Sequence, residues 1–281
     1  MIQPIPIFDT HAHLDLEQFD SDRDAVIRRL ESGTFPGGLS PEALEEQPIE
    51  IAGIIIPGID AASCRHVVKL AEKSDRFHAA VAIHPNHAAD VSAEDWQTVS
   101  DFAHRNDVTA IGETGLDRYW DNVPIEVQIE MFRWHIDLSQ ETDKPVLIHC
   151  RDAWDDLLPI LREVKKLNGV IHAFSGEPEQ ALECVELGLS ISFAGSVTYR
   201  NAKFSPLWEA TKVVSADRLL IETDSPFMTP HPYRGKLQRN EPTMAAMVAL
   251  RLAELRGQSV REIAEITTQN AKRIFRNADH S

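Results

Sequence analysis

Residues 145–174, PVLIHCRDAWDDLLPILREVKKLNGVIHAF, hold a complete strand–helix–strand unit. Pro145–Cys150 and Gly169–Phe174 are short, apolar and β-rich, and each carries a histidine near its end, His149 and His172. Between them Trp154–Lys166 is long and amphipathic, the kind of crossover that two parallel strands require. The same rhythm extends in both directions. Upstream strands are expected at Ile5–Ala12, Ile51–Ile59, His78–His84 and Thr109–Leu116, and downstream strands at Leu189–Ala194 and Leu219–Thr223. Helical stretches separate them at Asp22–Glu31, Ala61–Lys73, Ala93–Arg105, Glu126–Glu141, Glu179–Leu187 and Ser205–Val214. Pro242–Arg256 and Val260–Phe275 then follow to close the ring and cover its base. Eight βα units in strict alternation predict a (β/α)8 TIM barrel in a single domain spanning residues 1–281. No glycine-rich fingerprint follows the first strand, which argues against an open doubly wound sheet. Ser32–Glu50, rich in Pro and Gly and then acidic, breaks the rhythm and is expected as a surface excursion at the barrel bottom.

Polar residues fall where a barrel enzyme needs them, at the C-terminal ends of strands. His11 and His13 stand at i and i+2 after the first strand, and His84 ends the third. Glu113 ends the fourth strand, His149 the fifth, His172 the sixth and Asp224 the eighth. Singly, each has a bland reading as a satisfied polar residue or a turn cap. Together, five histidines and two carboxylates on one rim are costly to desolvate unless cations hold them. The set suffices for two divalent ions (magnesium, manganese or zinc), with Glu113 near the middle available to bridge. Asp224 is placed to accept a proton from water, and Glu222, of the same strand parity, to orient a ligand.

Composition bounds the rest. The net charge of −16 argues against long-range steering toward nucleic acid, so any such contact must be local. Cys64, Cys150 and Cys184 form no C-x-x-C pair. With no export signal legible, they point to a reducing, cytoplasmic setting. No apolar run is long enough to span a membrane. No heptad or exposed apolar stripe suggests a stable protein partner.

In order along the chain stand FDTHAHLD (8–15), AIHPN (82–86), IGETGLDRYW (111–120), Gln128-x-x-x-Phe132, KPVLIHCRDA (144–153), HAFSG (172–176), LIETDSP (220–226), RGK (234–236) and RNEP (239–242). In this order the motifs resemble the TatD family of metal-dependent deoxyribonucleases, over nearly the whole chain from Phe8 to about Phe275. The resemblance implies metal ligation by His11, His13, Glu113, His149, His172 and Asp224, with His84 as a further active-site histidine. It also implies divalent-metal-dependent hydrolysis of DNA phosphodiesters, often 3′→5′ exonuclease action. The pattern departs at Asn86, where a second histidine is usual, and at Leu237-Gln238, which lengthen the loop between RGK and RNEP.

A phosphodiester substrate needs cationic donors, and Arg118, Arg151, Arg200, Arg234, Lys236 and Arg239 all fall in βα loops. Arg151, beside His149, and the Arg239-Asn240 pair are the strongest of these, and Tyr119 could stack on an unpaired base. The expected partner is therefore DNA, single-stranded or at 3′ ends. Competing readings are a small-molecule amidohydrolase, an aminoacyl-tRNA ester hydrolase and a non-catalytic scaffold. The first commonly bridges its metals with a lysine on the fourth strand, where this chain offers Glu113.

Overall fold

The strands form one parallel sheet in chain order: β1 (Ile5–Asp9), β2 (Ile49–Pro57), β3 (Phe77–Val81), β4 (Val108–Asp117), β5 (Val146–Arg151), β6 (Gly169–Ile171), β7 (Leu189–Phe193) and β8 (Leu219–Ile221). Between them run α1 (Arg23–Ser32), α2 (Ala61–Ala71), α3 (Ala93–Ala103), α4 (Ile125–Thr142), α5 (Trp154–Glu163), α6 (Pro178–Glu186) and α7 (Ser205–Val213). After β8 come α8 (Ala245–Arg256) and α9 (Val260–Ile274). This is the (β/α)8 TIM barrel, seen in a computed structural model that describes residues 3–39, 41–44 and 47–275. The seam between β8 and β1 is closed by Thr10 N donating to Ile221 O (3.2 Å) and by a bridge between Ala12 and Ser225. No described helix is long and apolar enough to cross a membrane.

Alternation within each strand sorts the core into two layers. Ile5, Ile7, Ile54, Ile56, Val146 and Ile148 face the helices, whereas Phe8, Ile55, Ala80, Ala110, Leu147, Val170 and Leu220 fill the barrel interior. Phe8 takes so much of that interior that a Cβ at Gly53 would stand 2.3 Å from its ring, so glycine is required there. Ala271, Ile274 and Phe275 join this inner layer from below, with the Phe275 ring stacked on Phe8 at 6.2 Å. Full burial of such a ring contributes about 2–3 kcal/mol. The floor helix α9 starts sharply because Ser259 and Glu262 form a reciprocal capping box.

The 32–50 segment departs from expectation. It leaves and rejoins at the base, where Gly33, in the left-handed region, packs against the Ile49 carbonyl. Its middle, however, climbs the outside of the barrel. Gly37 lies against Leu237, and Ala43 shares a cleft with Thr198, His231 and Pro232, all from loops on the C-terminal side. Phe35 and Leu44 pack on the core, and these apolar anchors explain why the segment is held to the barrel wall. Residues 40, 45 and 46 of the segment lie outside the described residues.

Candidate metal centre

All seven residues expected from the strand ends converge on one cluster, but they arrive by different local devices. β1 stops at Asp9, short of the histidines. The chain then bends at Thr10, whose hydroxyl meets Ser192 (2.8 Å) and Glu222 (3.3 Å) inside the barrel. Asp9 holds the bend from the other side, accepting from the Thr223 N–H (2.8 Å), the Thr223 hydroxyl (2.5 Å) and the His11 N–H (3.2 Å). Its burial pushes the Asp9 carboxyl well above its ordinary range. Asp224 adopts φ +53°, a left-handed conformation that is uncommon for a residue with a side chain, and its N–H is tied to the His11 carbonyl at 2.9 Å. On β4 the pairing with β5 slips between Ile111 and Thr114, and Glu113 sits inside that irregularity.

Glu113 divides the cluster. Its Oε2 lies 3.2 Å from His11 Nε2 and 3.4 Å from His13 Nε2, with Asp224 Oδ1 3.6 Å beyond His13. Its Oε1 lies 2.8 Å from both His149 Nδ1 and His172 Nε2. Ring nitrogens also face each other, His11 Nε2 to His13 Nε2 and His149 Nδ1 to His172 Nε2, both at 3.2 Å. The ligand atoms of a four-coordinate zinc with imidazole bonds stand about 3.3 Å apart. Converging lone pairs at that spacing, on a buried set of nitrogens and carboxylates, fit a divalent cation.

His84 completes a third potential group with Glu113 and His149, but its tautomer speaks against ligation. The Asn86 backbone N–H donates to His84 Nδ1 (3.1 Å), so in the neutral ring the hydrogen sits on Nε2 and points at Glu113 Oε1, 3.3 Å away. Burial lowers His84 to about 4, keeping it neutral near pH 7.

The opposite logic fixes His149. Its Nε2 meets Asp117 Oδ2 at 3.2 Å, which leaves the Nδ1 lone pair for the cluster. Asp117 is held by Asn86 Nδ2 (3.0 Å), and its other oxygen accepts the N–H groups of Tyr119 (2.8 Å) and Trp120 (3.2 Å). Gln128 clamps the same turn, accepting from Asp117 N and donating to the Asp117 carbonyl. His172 Nδ1 stands 3.3 Å from the buried Glu222 carboxylate, which also accepts the Ala173 N–H at 2.6 Å.

Electrostatics follow from this packing. Burial favours a neutral Glu113, yet His172, His84 and His11 hold it well below its usual range. Asp224 is lowered in the same way, against its burial, through His13 and its neighbours. Burial opposes charge on His13 as well, but Asp224 and Glu113 raise it to about 10. Behind β4, His135 accepts the Ile83 N–H on Nε2 (3.0 Å) and lies 3.1 Å from the Thr114 hydroxyl; burial lowers it to about 4.

The residues expected to grip substrate divide. The Arg151 guanidinium carbon lies 3.7 Å above the centre of the Tyr119 ring, and Tyr119 and Trp120 are both more than half exposed (54% and 53%). Arg239 is engaged elsewhere: it binds both oxygens of Asp22 (2.6 and 2.8 Å) and the Gln18 carbonyl, and it covers Phe19. Asn240 is fully buried and donates to the Thr223 carbonyl at 2.9 Å, which braces the loop carrying Asp224. Both are thus supports of the β8 loop, because the chain packs them on α1 and β8 instead of the mouth. Arg118 is likewise paired, with Asp156. Phe174 is buried packing between Trp154 and Phe193. Sequence reasoning missed Asp117, which shares the alternation of Glu113 and Gly115, and Phe227, an exposed ring 6.2 Å from His13 directly after the ETDSP run.

The chain's likeness to known proteins agrees with this geometry. The model of the TatD related DNase family matches residues 8–276. The uncharacterized metal-dependent hydrolase YabD of Bacillus subtilis (strain 168) is 42% identical over 272 residues, covering 96% of this chain and 99% of the relative. A relative from Pantoea vagans (strain C9-1), named 3′-5′ ssDNA/RNA exonuclease TatD, is 33% identical over 277 residues, covering 97% of this chain and all of that protein. The crystal structure of the TatD homologue YJJV from Escherichia coli K12 superposes with a TM-score of 0.84 at 29% identity, covering 96% of this chain and 98% of that one. With a histidine–carboxylate cluster at the mouth of a barrel of this kind, the chain belongs to the TatD family and is a metal-dependent hydrolase.

Proposed function

We propose that this protein hydrolyses phosphodiester bonds of DNA, working from 3′ ends of single strands or frayed duplex, with two divalent ions among magnesium, manganese and zinc. The observation that carries the reading is the division of Glu113, one oxygen toward His11 and His13 and the other toward His149 and His172. Two such ions, when bound, supply charge to offset the phosphate and make a water acidic enough to ionise near neutral pH. The protein's own groups do the remainder. Asp224, lying beside His11 and His13, would take the proton of the attacking water. His84, neutral and with its hydrogen on Nε2, donates to a phosphate oxygen or to the departing oxygen. Arg151 grips a phosphate while Tyr119 beneath it supports the guanidinium and offers its exposed face to a base. The name of the Pantoea relative supports the choice of substrate.

The test is metal-replete protein on 3′- and 5′-labelled single- and double-stranded DNA, on RNA and on chromogenic carboxylic esters. Shortening from the 3′ end of single-stranded DNA, abolished by chelator and restored by metal, is expected. Hydrolysis of the esters with every oligonucleotide left intact would overturn the reading.

A further inference from the structure

A second arginine stands at the mouth in the same posture as Arg151. The Arg234 guanidinium carbon lies 4.4 Å from the centre of the Tyr199 ring. Neither Arg151 nor Arg234 has an acidic partner among the described residues, in a chain with 44 acidic and 28 basic side chains. The contrast with Arg118 and Arg239, both held by carboxylates, is chemical. A guanidinium lying on a ring keeps its N–H edge free, and that edge matches two oxygens of a phosphate.

The pair is built, not accidental. Gly195 lets the β7 loop approach so closely that a Cβ there would stand 1.7 Å from the Met228 carbonyl. Thr198 Oγ1 then accepts the His231 N–H at 2.8 Å. These two contacts stitch the β7 and β8 loops together and bring Tyr199 under Arg234. Arg200 lines a cleft beside His231, on the same pair of loops. Arg151, by contrast, follows His149 on β5. One stack is thus carried by the end of β5 and the segment after β4, the other by the segments after β7 and β8.

We propose that Arg234, seated on Tyr199, binds the phosphate on the 5′ side of the scissile one, the only side on which a strand shortened from its 3′ end has a further phosphate. The proposal rests on the nuclease reading above and adds to it a residue that selects substrates longer than a dinucleotide. A dinucleotide carries only the scissile phosphate; a trinucleotide carries one more for Arg234.

The experiment compares metal-loaded wild type, Arg234→Ala and Arg234→Lys on di-, tri- and hexadeoxynucleotides. Binding of a fluorescent hexanucleotide is followed in parallel by anisotropy in an Asp224→Asn background. Wild type should gain in kcat/KM with length. Arg234→Ala should lose about tenfold of that gain through KM, with kcat changed less than about twofold, and should bind the hexanucleotide about tenfold more weakly, the scale of one lost charged hydrogen bond. Arg234→Lys should recover part of both. An Arg234→Ala enzyme that keeps the full gain with length, or that loses equally on all three substrates, overturns the proposal while leaving the nuclease reading intact. A wild type that cleaves none of the three overturns both.

Discussion

On the β5 and β6 side of Glu113, His149 is fixed by a chain of side chains: Asn86 holds Asp117, and Asp117 holds the ring. On the β1 and β8 side, His11 and His13 have no hydrogen-bond partner at Nδ1 among the described residues, and their rings are aimed by the course of the backbone through Thr10 and the Ala12–Ser225 bridge. The His149 ring is braced by a hydrogen bond to Asp117, the His11 and His13 rings by the path of the chain, and His172 stands between the two cases, its Nδ1 3.3 Å from Glu222 without a hydrogen bond. A ring aimed by a partner carboxylate depends on that single residue. A ring aimed by the backbone does not, and it leaves Asp224, the group assigned to proton transfer, free of competing donors apart from the histidines.

The largest test of that contrast removes the group common to both flanks. Glu113→Ala should lose metal from both sides and activity by at least about 10³-fold, measured by elemental analysis after gel filtration and by oligonucleotide cleavage. Asp224→Asn, measured alongside, should keep metal on the β5–β6 side while losing activity on a similar scale. Full metal content in Glu113→Ala would break the comparison at its root. A smaller effect is expected from Asp117→Ala. Metal affinity on the β5–β6 side should fall about 10- to 100-fold, as when a carboxylate behind a ligating histidine is lost, with the other flank keeping its ion. Equal loss from both flanks would show that Asp117 supports the whole rim instead of His149.

The mildest effect concerns the strand both flanks share. Burial lowers His135 from the ordinary 6.5 to about 4, so the unfolded chain takes up a proton there before the folded one does. Its contribution is complete above pH 6.5 and is lost as pH falls toward about 4, at about 1.4 kcal/mol per pH unit. Denaturant unfolding between pH 7.5 and 4.5 should therefore show a shallower acid loss in His135→Gln than in wild type. Parallel slopes in the two proteins would remove His135 as the buttress behind Thr114 and Glu113.

Much of this architecture is legible in the sequence. The period of two along β5 accounts for Leu147 in the barrel interior, Ile148 and Cys150 against the helices, and His149 on the same side as Leu147. Strand-end chemistry singled out Glu113, His172 and Asp224, because a charged or imidazole group at that position needs a partner. What sequence patterns did not carry were contacts set by distant partners. Arg239 reads as a free cation until Asp22, on the first turn of the barrel's outer wall, captures it. Asn240 reads as polar and exposed until the fold encloses it against Thr223. The Pro/Gly-rich composition of 32–50 signals an irregular segment, but only the apolar anchors Phe35 and Leu44 reveal that it rises along the wall. Asp117 is an intermediate case: its parity with Glu113 was legible, its grip on His149 was not.

The stacking of Phe275 beneath Phe8 has a bearing on the order in which the enzyme is made. His11 and His13 leave the ribosome more than two hundred residues ahead of Asp224, and α9 follows later still. Until α9 seats Ala271, Ile274 and Phe275 under the strands, the interior below Thr10, Ser192 and Glu222 has no lid against water from beneath. A nascent chain thus carries its first two metal-facing histidines without the floor that keeps their surroundings dry. The cluster thus gains dry surroundings only once α9, which follows the last of its residues in the chain, has seated under the strands.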